Sequence, residues 1–333
     1  YPIDRLSMNG FFEPILHLFR LVFLVVRLER FFLRHRPQIF IGIDFNVFNL
    51  MLERRLRKKG VKVVHYVSPS VYAWRSWRAK RVASSADMLL TLFPFESAFY
   101  SDLDLKVKYV GHPLADAILL DTDKKKNRRI KTSGFGISLE QPCVAMLPGS
   151  RSGEFKRMAP IFLSSARKIA SVYGDVVFLI PCISKDIKRL ADSMVKTFSD
   201  LNVISYIGDS KMALQACDVA LTKAGTSTLE TLLLERPMVV AYRLDLLSYW
   251  IIKLLLTTPY VALPNILFGK PLVDEYIQNK ATPKILSDRI IRLLDRQYDH
   301  SHYLRTARAI HMELAQNANE RAAEAVLSLL GES

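Results

Sequence analysis

Short apolar runs alternate with longer amphipathic segments along the chain. In the first half, the runs are rich in β-branched residues and predict parallel strands separated by helices. The predicted strands are residues 38–44, 61–67, 87–93 and 106–111. Repeated strand–helix–strand units favour a doubly wound parallel sheet, because a right-handed crossover helix returns the chain to the same edge.

The second half repeats this alternation and ends in a long amphipathic helix, predicted from about His300 to Leu330. Its predicted strands are residues 142–149, 175–181, 202–208, 218–225 and 236–242. We therefore predict an α/β fold with two Rossmann-like doubly wound domains facing a cleft. The predicted organisation is a first domain over 1–120, a linker over 121–138, a second domain over 139–298, and a C-terminal helix over 299–333 that packs back on the first domain.

Two apolar segments are candidates for membrane contact. The first, from Phe11 to Arg34, is predicted to be a helix, but arginines interrupt it, whereas a membrane-spanning helix needs about 20 apolar residues. It is either a buried helix with arginines at its edges or an interfacial helix whose arginines meet lipid headgroups. The second, residues 245–268, is interrupted by Lys253 and two prolines and cannot span a bilayer as one helix either.

Composition narrows the class of protein. The 333 residues are 50% hydrophobic and 24% charged, which excludes a disordered chain. The net charge of +15 calls for an anionic partner: a nucleic acid, a membrane surface or an anionic substrate. The three cysteines are far apart, which excludes a disulfide scaffold and fits a reducing compartment.

The segment KAGTSTLE, residues 223–230, lies at a predicted strand-to-helix junction. Gly225 allows close approach of a ligand, and Thr226 and Ser227 offer hydroxyls and free N–H groups at the helix start, which suits a diphosphate. Glu230 is placed to accept from ribose hydroxyls. The alternative is a helix cap that binds no ligand.

The segment LPGSRSGE, residues 147–154, forms a second such loop. Gly149 and Ser150 permit a tight turn, and Arg151 offers a bidentate donor pair to phosphate. Glu154 either contacts substrate or caps the next helix.

Polar residues also follow the predicted strands of the first half. Asp44 ends an apolar run, where it is either a base that deprotonates a sugar hydroxyl or a helix cap. Ser68, Ser70 and Trp74 in HYVSPSVYAWR suit sugar or lipid contact, with loop packing as the alternative. His112 follows a strand and either binds substrate or packs at the domain boundary.

A metal site is not indicated. Asp-x-Asp patterns occur at 102–104 and 121–123, but neither ends an apolar strand, so both are attributed to chance. Known hydrolase, metalloprotease and P-loop motifs are absent from the sequence.

In their order, these motifs resemble the lipid-A-disaccharide synthases over nearly the whole chain from about Leu6. The matching blocks are IGID, HYVSPSVYAWR, FPFESAFY, GHP, LPGSRSGE, AGTSTLE and LPN. The resemblance implies an inverting, metal-independent glycosyltransferase of the GT-B fold that needs no cofactor. It implies transfer from UDP-2,3-diacylglucosamine to 2,3-diacylglucosamine 1-phosphate (lipid X), with release of UDP.

The resemblance also implies roles for individual residues. Asp44 becomes the candidate general base for the acceptor 6-hydroxyl. The diphosphate would be held by Arg151, Gly225, Thr226 and Ser227, with Glu230 at the ribose. The backbone around Ile207 would meet the uracil, and Asn265 in LPN matches a functional asparagine of the family.

The chain departs from the family pattern in two places. Members usually carry GIDxPDFN, whereas this chain has GIDFNVFN, with Val47 in place of the second aspartate. The family's Gly-rich N-terminal turn is not matched, so we expect the chain to begin inside the family pattern, with an incomplete first sheet. Restoring an upstream segment is expected to restore transfer.

The charge then points to anionic substrate groups together with an anionic inner-membrane surface, and away from nucleic acid. We expect a cytoplasmic protein, peripheral on the inner membrane, and leave a homodimer open. The alternatives are another UDP-sugar enzyme, such as a peptidoglycan N-acetylglucosaminyltransferase or a UDP-sugar epimerase, and a non-catalytic basic protein that binds membrane or nucleic acid.

Overall fold

A computed structural model describes residues 14–70, 77–120, 130–245 and 258–331. All strands in these ranges pair in parallel, in two separate sheets. The strands are β1 Ile39–Ile43, β2 Lys62–Tyr66, β3 Met88–Thr91, β4 Lys106–Tyr109, β5 Cys143–Leu147, β6 Val177–Cys182, β7 Asn202–Ile207, β8 Val219–Lys223, β9 Met238–Tyr242 and β10 Asp274–Ile277.

Helices connect nearly all of these strands. They are α1 Pro14–His35, α2 Asn46–Arg57, α3 Trp77–Ala83, α4 Pro113–Ala117, α5 Ser152–Tyr173, α6 Lys185–Val195, α7 Ser210–Ala216, α8 Thr226–Leu233, α9 Leu263–Phe268, α10 Pro283–Leu294, α11 Ser301–Leu314 and α12 Ala318–Gly331. Shorter helical turns are Pro94–Tyr100, Ile130–Gly134, Lys196–Phe198 and Gln278–Lys280. The described helices include none that is both long and apolar enough to cross a membrane.

The chain divides into two compact units. Among the described residues, unit 1 holds 14–113 and 314–331, and unit 2 holds 114–313. The division falls between Pro113 and Leu114, ahead of the predicted linker over 121–138. Residues 121–129 of that segment lie outside the described residues.

Unit 1 is built on the sheet β1-β2-β3-β4, whose strands follow chain order. Successive side chains of a strand point to opposite faces, and both faces of β2 are covered. Val63 packs with α1 and α2, through buried residues such as Val25 and Leu52. Val64 on the other face packs against Leu329 of α12, and this double burial explains why two consecutive residues of β2, Val63 and Val64, are both apolar.

Unit 2 is built on the sheet β10-β9-β8-β5-β6-β7. The strand order reverses between β5 and β8, which are neighbours, so this sheet is doubly wound with a switch point at that place. Its core lies between the sheet and helices α5 and α10, around fully buried residues such as Phe162, Phe178 and Ile290.

The predicted strands of both halves are present, and one further strand was missed. β10 pairs with β9 at the sheet edge and reads DEYI, with two charges in four residues. An edge strand exposes one side to water, so it lacks the continuous apolar run by which buried parallel strands are recognised.

The predicted single C-terminal helix is wrong, because two helices occupy this region. The chain turns at Asn317, which adopts a left-handed φ of 55°. Helix α11 packs within unit 2, where the Tyr303 hydroxyl donates to the carbonyl of Arg236. Only α12 packs on the first sheet, where the Lys62 ammonium donates to the carbonyl of Leu329 at 2.7 Å.

Candidate functional site

The carboxyl ends of β5, β6, β7 and β8 surround a cavity of about 660 Å³ in unit 2. This position is the switch point of the sheet, where doubly wound folds bind their ligands. Eight residues singled out from the sequence line the cavity: Gly149, Ser150, Glu154, Ile207, Gly225, Thr226, Ser227 and Glu230. The fold therefore brings together two loops that are far apart in the sequence.

The loop after β5 requires glycine at position 149. Gly149 has a φ of +125°, and a Cβ atom there would lie 2.9 Å from the Cβ of Glu154. Arg151 follows at the start of α5, but its side chain is 85% exposed and does not line the cavity. Its guanidinium lies 3.9 Å from the Glu154 carboxylate, so it stands beside the cavity residues.

Lys223 is a cavity residue that the sequence argument did not single out. Its ammonium lies 3.0 Å from the Glu154 carboxylate and 5.0 Å from the centre of the Tyr242 ring. The side chains of Lys223 and Glu154 are only 14% and 17% exposed. The sequence did offer one signal for Lys223, which is a cation at the end of an apolar strand, directly before the glycine motif. Glu154 therefore pairs with a cation on β8, an outcome that the capping interpretation did not foresee.

Helix α8 begins at the cavity. The Ser227 hydroxyl lies 3.0 Å from the Thr222 hydroxyl, and the Thr228 hydroxyl donates to the carbonyl of Gly225. Thr226 is exposed at the cavity wall. The first N–H groups of a helix lack intrahelical acceptors and carry the positive end of its dipole, so this end of the cavity favours an anion.

Polar groups from α7 and α8 also line the cavity. The Ser210 hydroxyl donates to the Glu230 carboxylate, and burial raises the pKa of Glu230. Asp209 accepts from the backbone of Met212 and caps α7. Ile207, the last residue of β7, is 54% exposed in the cavity wall. Asp209 and Ser210 were missed because each looks like an ordinary helix start.

In unit 1, Asp44 lies directly after β1 with its carboxylate exposed. Asp44 and Phe45 both adopt left-handed backbone, with φ of 47° and 41°. Such strain in consecutive non-glycine residues persists only where surrounding contacts enforce it. Here the amide of Asn49 donates to the carbonyls of Ile43 and Asp44, at 3.0 and 2.8 Å.

The other residues of unit 1 that were singled out from the sequence lie in different environments. Ser68 is 6% exposed and its hydroxyl is bonded to that of Tyr100 at 2.8 Å, which favours the packing alternative over substrate contact. Ser70 is exposed, and Trp74 lies outside the described residues. His112 is half-buried, with its ring 5.4 Å from that of Phe93.

Asn265 lies in the interior of unit 2, 2% exposed. Its amide nitrogen donates to the Val273 carbonyl and the Glu275 carboxylate, and its oxygen accepts from the backbone N–H groups of Leu272 and Val273. These bonds use the full capacity of the amide. Asn265 thus links the start of α9 to the segment that leads into β10, and its role toward substrate stays a prediction.

Over the described ranges, no group of three or more His, Cys, Asp or Glu side chains is arranged to hold a metal ion. The cavity instead offers hydroxyls, a helix start and a lysine, which are groups that bind phosphate.

The fold matches that of known nucleotide-sugar proteins. A putative UDP-N-acetylglucosamine 2-epimerase from Listeria monocytogenes superposes with a TM-score of 0.64 at 12% identity, over 98% of this chain and 82% of that one. The UDP-GlcNAc 2-epimerase from Neisseria meningitidis, solved with bound UDP-GlcNAc, gives a TM-score of 0.64 at 12% identity, over 92% and 81%. Two parallel α/β units of this kind define the GT-B class of fold.

Sequence comparison identifies the family within that class. A family model for lipid-A-disaccharide synthetase matches residues 1–326. The chain is 43% identical to a lipid-A-disaccharide synthase of Azotobacter vinelandii, over 99% of this chain and 85% of that protein. It is 41% identical to one from Pseudomonas syringae pv. syringae, over 100% and 86%. The chain belongs to the lipid-A-disaccharide synthase family, glycosyltransferases of lipid A biosynthesis.

Proposed function

We propose that this chain transfers a diacylglucosaminyl group from UDP-2,3-diacylglucosamine to the 6-hydroxyl of 2,3-diacylglucosamine 1-phosphate, with inversion and release of UDP. The observation that carries the proposal is the convergence of two predicted phosphate loops on one cavity at the switch point of unit 2. The family membership of the chain supports the same reaction.

The cavity binds the UDP part of the donor in this proposal. The diphosphate lies against the start of α8 and the loop at Gly149, and Lys223 supplies a cation from within the cavity. Arg151 is a long, exposed side chain next to Glu154 and closes over the phosphates from outside. Glu230, held by Ser210, receives the ribose hydroxyls, and the backbone at Ile207 receives the uracil.

Asp44 serves as the general base. Its carboxylate accepts the proton of the acceptor 6-hydroxyl while that oxygen attacks the anomeric carbon and UDP leaves with the bonding electrons. An exposed carboxylate on an enforced backbone suits this role, because it is accessible to substrate and fixed in position. Ser70, Trp74 and His112 are the remaining candidates for contacts with the acceptor.

We also propose peripheral attachment to an anionic membrane through α1. One face of this helix packs on α2, with Val25 buried between them. The other face presents Phe23 and Phe31, 70% and 50% exposed, together with exposed arginines at 27, 30 and 34. Aromatic groups beside cations on one helix face are typical of an interfacial helix, and both proposed substrates are lipids.

Release of UDP tests the reaction. With both lipid substrates present, UDP is expected to form, and omission of lipid X should reduce it to background. Arg151→Ala should raise the KM for the donor, whereas Asp44→Ala should abolish kcat with little change in UDP affinity. Lys168→Met, on an exposed part of α5, is the control. Absence of UDP formation with both substrates, in a chain that carries the upstream segment, would refute the proposed reaction.

A further inference from the structure

A fully buried acid–imidazole pair lies beneath Asp44 in unit 1. The carboxylate of Glu53, on α2, lies 2.8 Å from Nδ1 of His65, on β2, and both side chains are 0% exposed. Gly42 on β1 makes room for the pair, since a Cβ atom there would lie 1.7 Å from Oε1 of Glu53. Burying two titratable groups in an apolar interior is costly, so the pair calls for a functional explanation.

The hydrogen bonds continue from this pair to the surface. Nε2 of His65 lies 2.9 Å from Oδ1 of Asn46, the first residue of α2. The Asn46 amide nitrogen in turn donates to Oδ1 of Asp44 at 3.3 Å. An unbroken chain of side chains therefore runs from Glu53 through His65 and Asn46 to Asp44.

The direction of each hydrogen bond in this series of side chains follows from which atoms can donate. The oxygen of Asn46 can only accept, so Nε2 of His65 carries a proton. On the other side of the ring, Nδ1 lies 2.8 Å from the Glu53 carboxylate, and burial raises the pKa of that carboxyl. With Nε2–H donating to its oxygen, the Asn46 amide keeps its nitrogen toward Asp44.

We propose that Glu53 and His65 act through Asn46 as positioning residues for the Asp44 carboxylate. This inference rests on the proposed role of Asp44 as the base. Asn46 occupies Oδ1 of Asp44 and leaves Oδ2 to take the proton of the acceptor hydroxyl. Asn49 holds the backbone of Asp44. The hydrogen-bonded side chains of Glu53, His65 and Asn46, which we call the relay, hold its carboxylate, so residues of unit 1 set the position of both the backbone and the side chain of the proposed base.

Two histidine variants separate positioning from packing. Glutamine places its amide nitrogen near the site of Nε2, so His65→Gln keeps a donor for Asn46. Asparagine places its amide near Nδ1, so His65→Asn keeps a partner for Glu53 but loses the donor. We expect kcat to fall roughly 10- to 100-fold in His65→Asn, with the KM of both substrates within about twofold, and to recover at least severalfold in His65→Gln.

Asn46→Ala tests the same link one step closer to Asp44. It should lower kcat about as much as His65→Asn does. The double variant with both substitutions should have a kcat only slightly lower than either single variant, because both substitutions break the same series of hydrogen bonds. Asn202→Ala, an exposed asparagine of unit 2, is the control. Because UDP binding belongs to unit 2, far-UV circular dichroism and the thermal unfolding midpoint are used to report that unit 1 of each variant is folded.

The outcomes distinguish this inference from the function on which it rests. If Asp44→Ala keeps activity, the assignment of the base is wrong. If Asp44→Ala is inactive while Asn46→Ala retains kcat within about twofold of the unsubstituted chain, the relay is overturned. Equal losses in His65→Asn and His65→Gln, or a parallel rise in KM, would likewise overturn it, because the pair would then only support the fold.

Discussion

At the residue scale, several buried polar groups of unit 1 are committed to specific partners. Glu96 is 2% exposed, and its carboxylate accepts from the backbone N–H groups of Leu92 and Phe93 at 3.1 and 3.0 Å. These bonds start the short helix Pro94–Tyr100. Burial raises the pKa of Glu96 from an ordinary 4.5 to about 7.

Glu96→Gln is expected to change the pH dependence of stability. Between pH 4.5 and 7 the unfolded chain releases a proton that folded Glu96 keeps, so the free energy of unfolding falls as pH rises through this window. The raised pKa corresponds to a loss of about 3 kcal/mol. Glutamine can still accept both backbone bonds but does not titrate. Urea unfolding at pH 5 and pH 8 should show the variant gaining stability relative to the unsubstituted chain at the higher pH, and a constant difference would contradict the expectation.

Lys223 gives a second prediction at this scale. Lys223→Met removes a partly buried cation from the cavity, and charge-assisted contacts contribute about 1.5–3 kcal/mol, so UDP affinity should fall roughly 10- to 100-fold. Uridine, which lacks the diphosphate, should bind equally to both chains. Calorimetric titration measures both, with Lys168→Met as the control. Equal losses for UDP and uridine would mean that Lys223 acts on the shape of the cavity and not on the phosphates.

At the element scale, the two faces of α1 lie in different environments. Its buried face fits the first interpretation made from the sequence, a packed helix edged by arginines. Its exposed face fits the second, an interfacial helix. The packed face is observed, and membrane contact by the exposed face stays a prediction. The sequence alone could not separate the two faces, because apolar residues occur on both.

Replacing Phe23 and Phe31 by glutamate should weaken binding to anionic vesicles. Burial of an aromatic side chain contributes about 1.5–3 kcal/mol, so the vesicle-bound fraction should fall by a factor of more than about ten. Val172→Glu with Leu327→Glu introduces the same charges at comparably exposed apolar sites elsewhere and is the matched control. Flotation with vesicles rich in anionic lipid measures the difference, and equal flotation of the two double variants would argue against α1 as the contact.

At the scale of the whole molecule, the two units carry different parts of the proposed chemistry. The cavity residues belong to unit 2, and Asp44 with its relay belongs to unit 1. Each unit has its own parallel sheet and its own core, so each set of residues is held by packing within its own unit.

UDP is therefore expected to protect unit 2 selectively. Ligand binding slows the local opening of the segments it contacts, so amide hydrogen exchange should slow at 147–151, 206–210 and 223–230. Exchange in β2 of unit 1 should change little. Mass spectrometry of the free and UDP-bound chain makes the comparison, and protection centred on the β1–α2 junction would place the nucleotide in the wrong unit for this proposal.

Much of the fold follows directly from local sequence patterns. Nine parallel strands were predicted because each is a short apolar run between helical segments. β10 was missed because it is charged and lies at the edge of its sheet. The C-terminal region was predicted to be a single helix because its apolar periodicity continues across the turn at Asn317. The two glycine loops that line the cavity were recognised because glycine and hydroxyl residues at a strand-to-helix junction form a local motif.

Patterns of contiguous residues were enough to predict the class of fold, the family and the two glycine loops that line the cavity. Which side chains meet across the chain depends on how its distant segments pack, and this was visible in the folded structure alone. The fold paired Lys223 with Glu154, joined Ser210 to Glu230, buried Ser68 and Asn265 in internal contacts, and placed Glu53 and His65 beneath Asp44. A histidine inside an apolar strand looks like any core residue until the fold brings its partners, which are distant in sequence, within hydrogen-bonding distance.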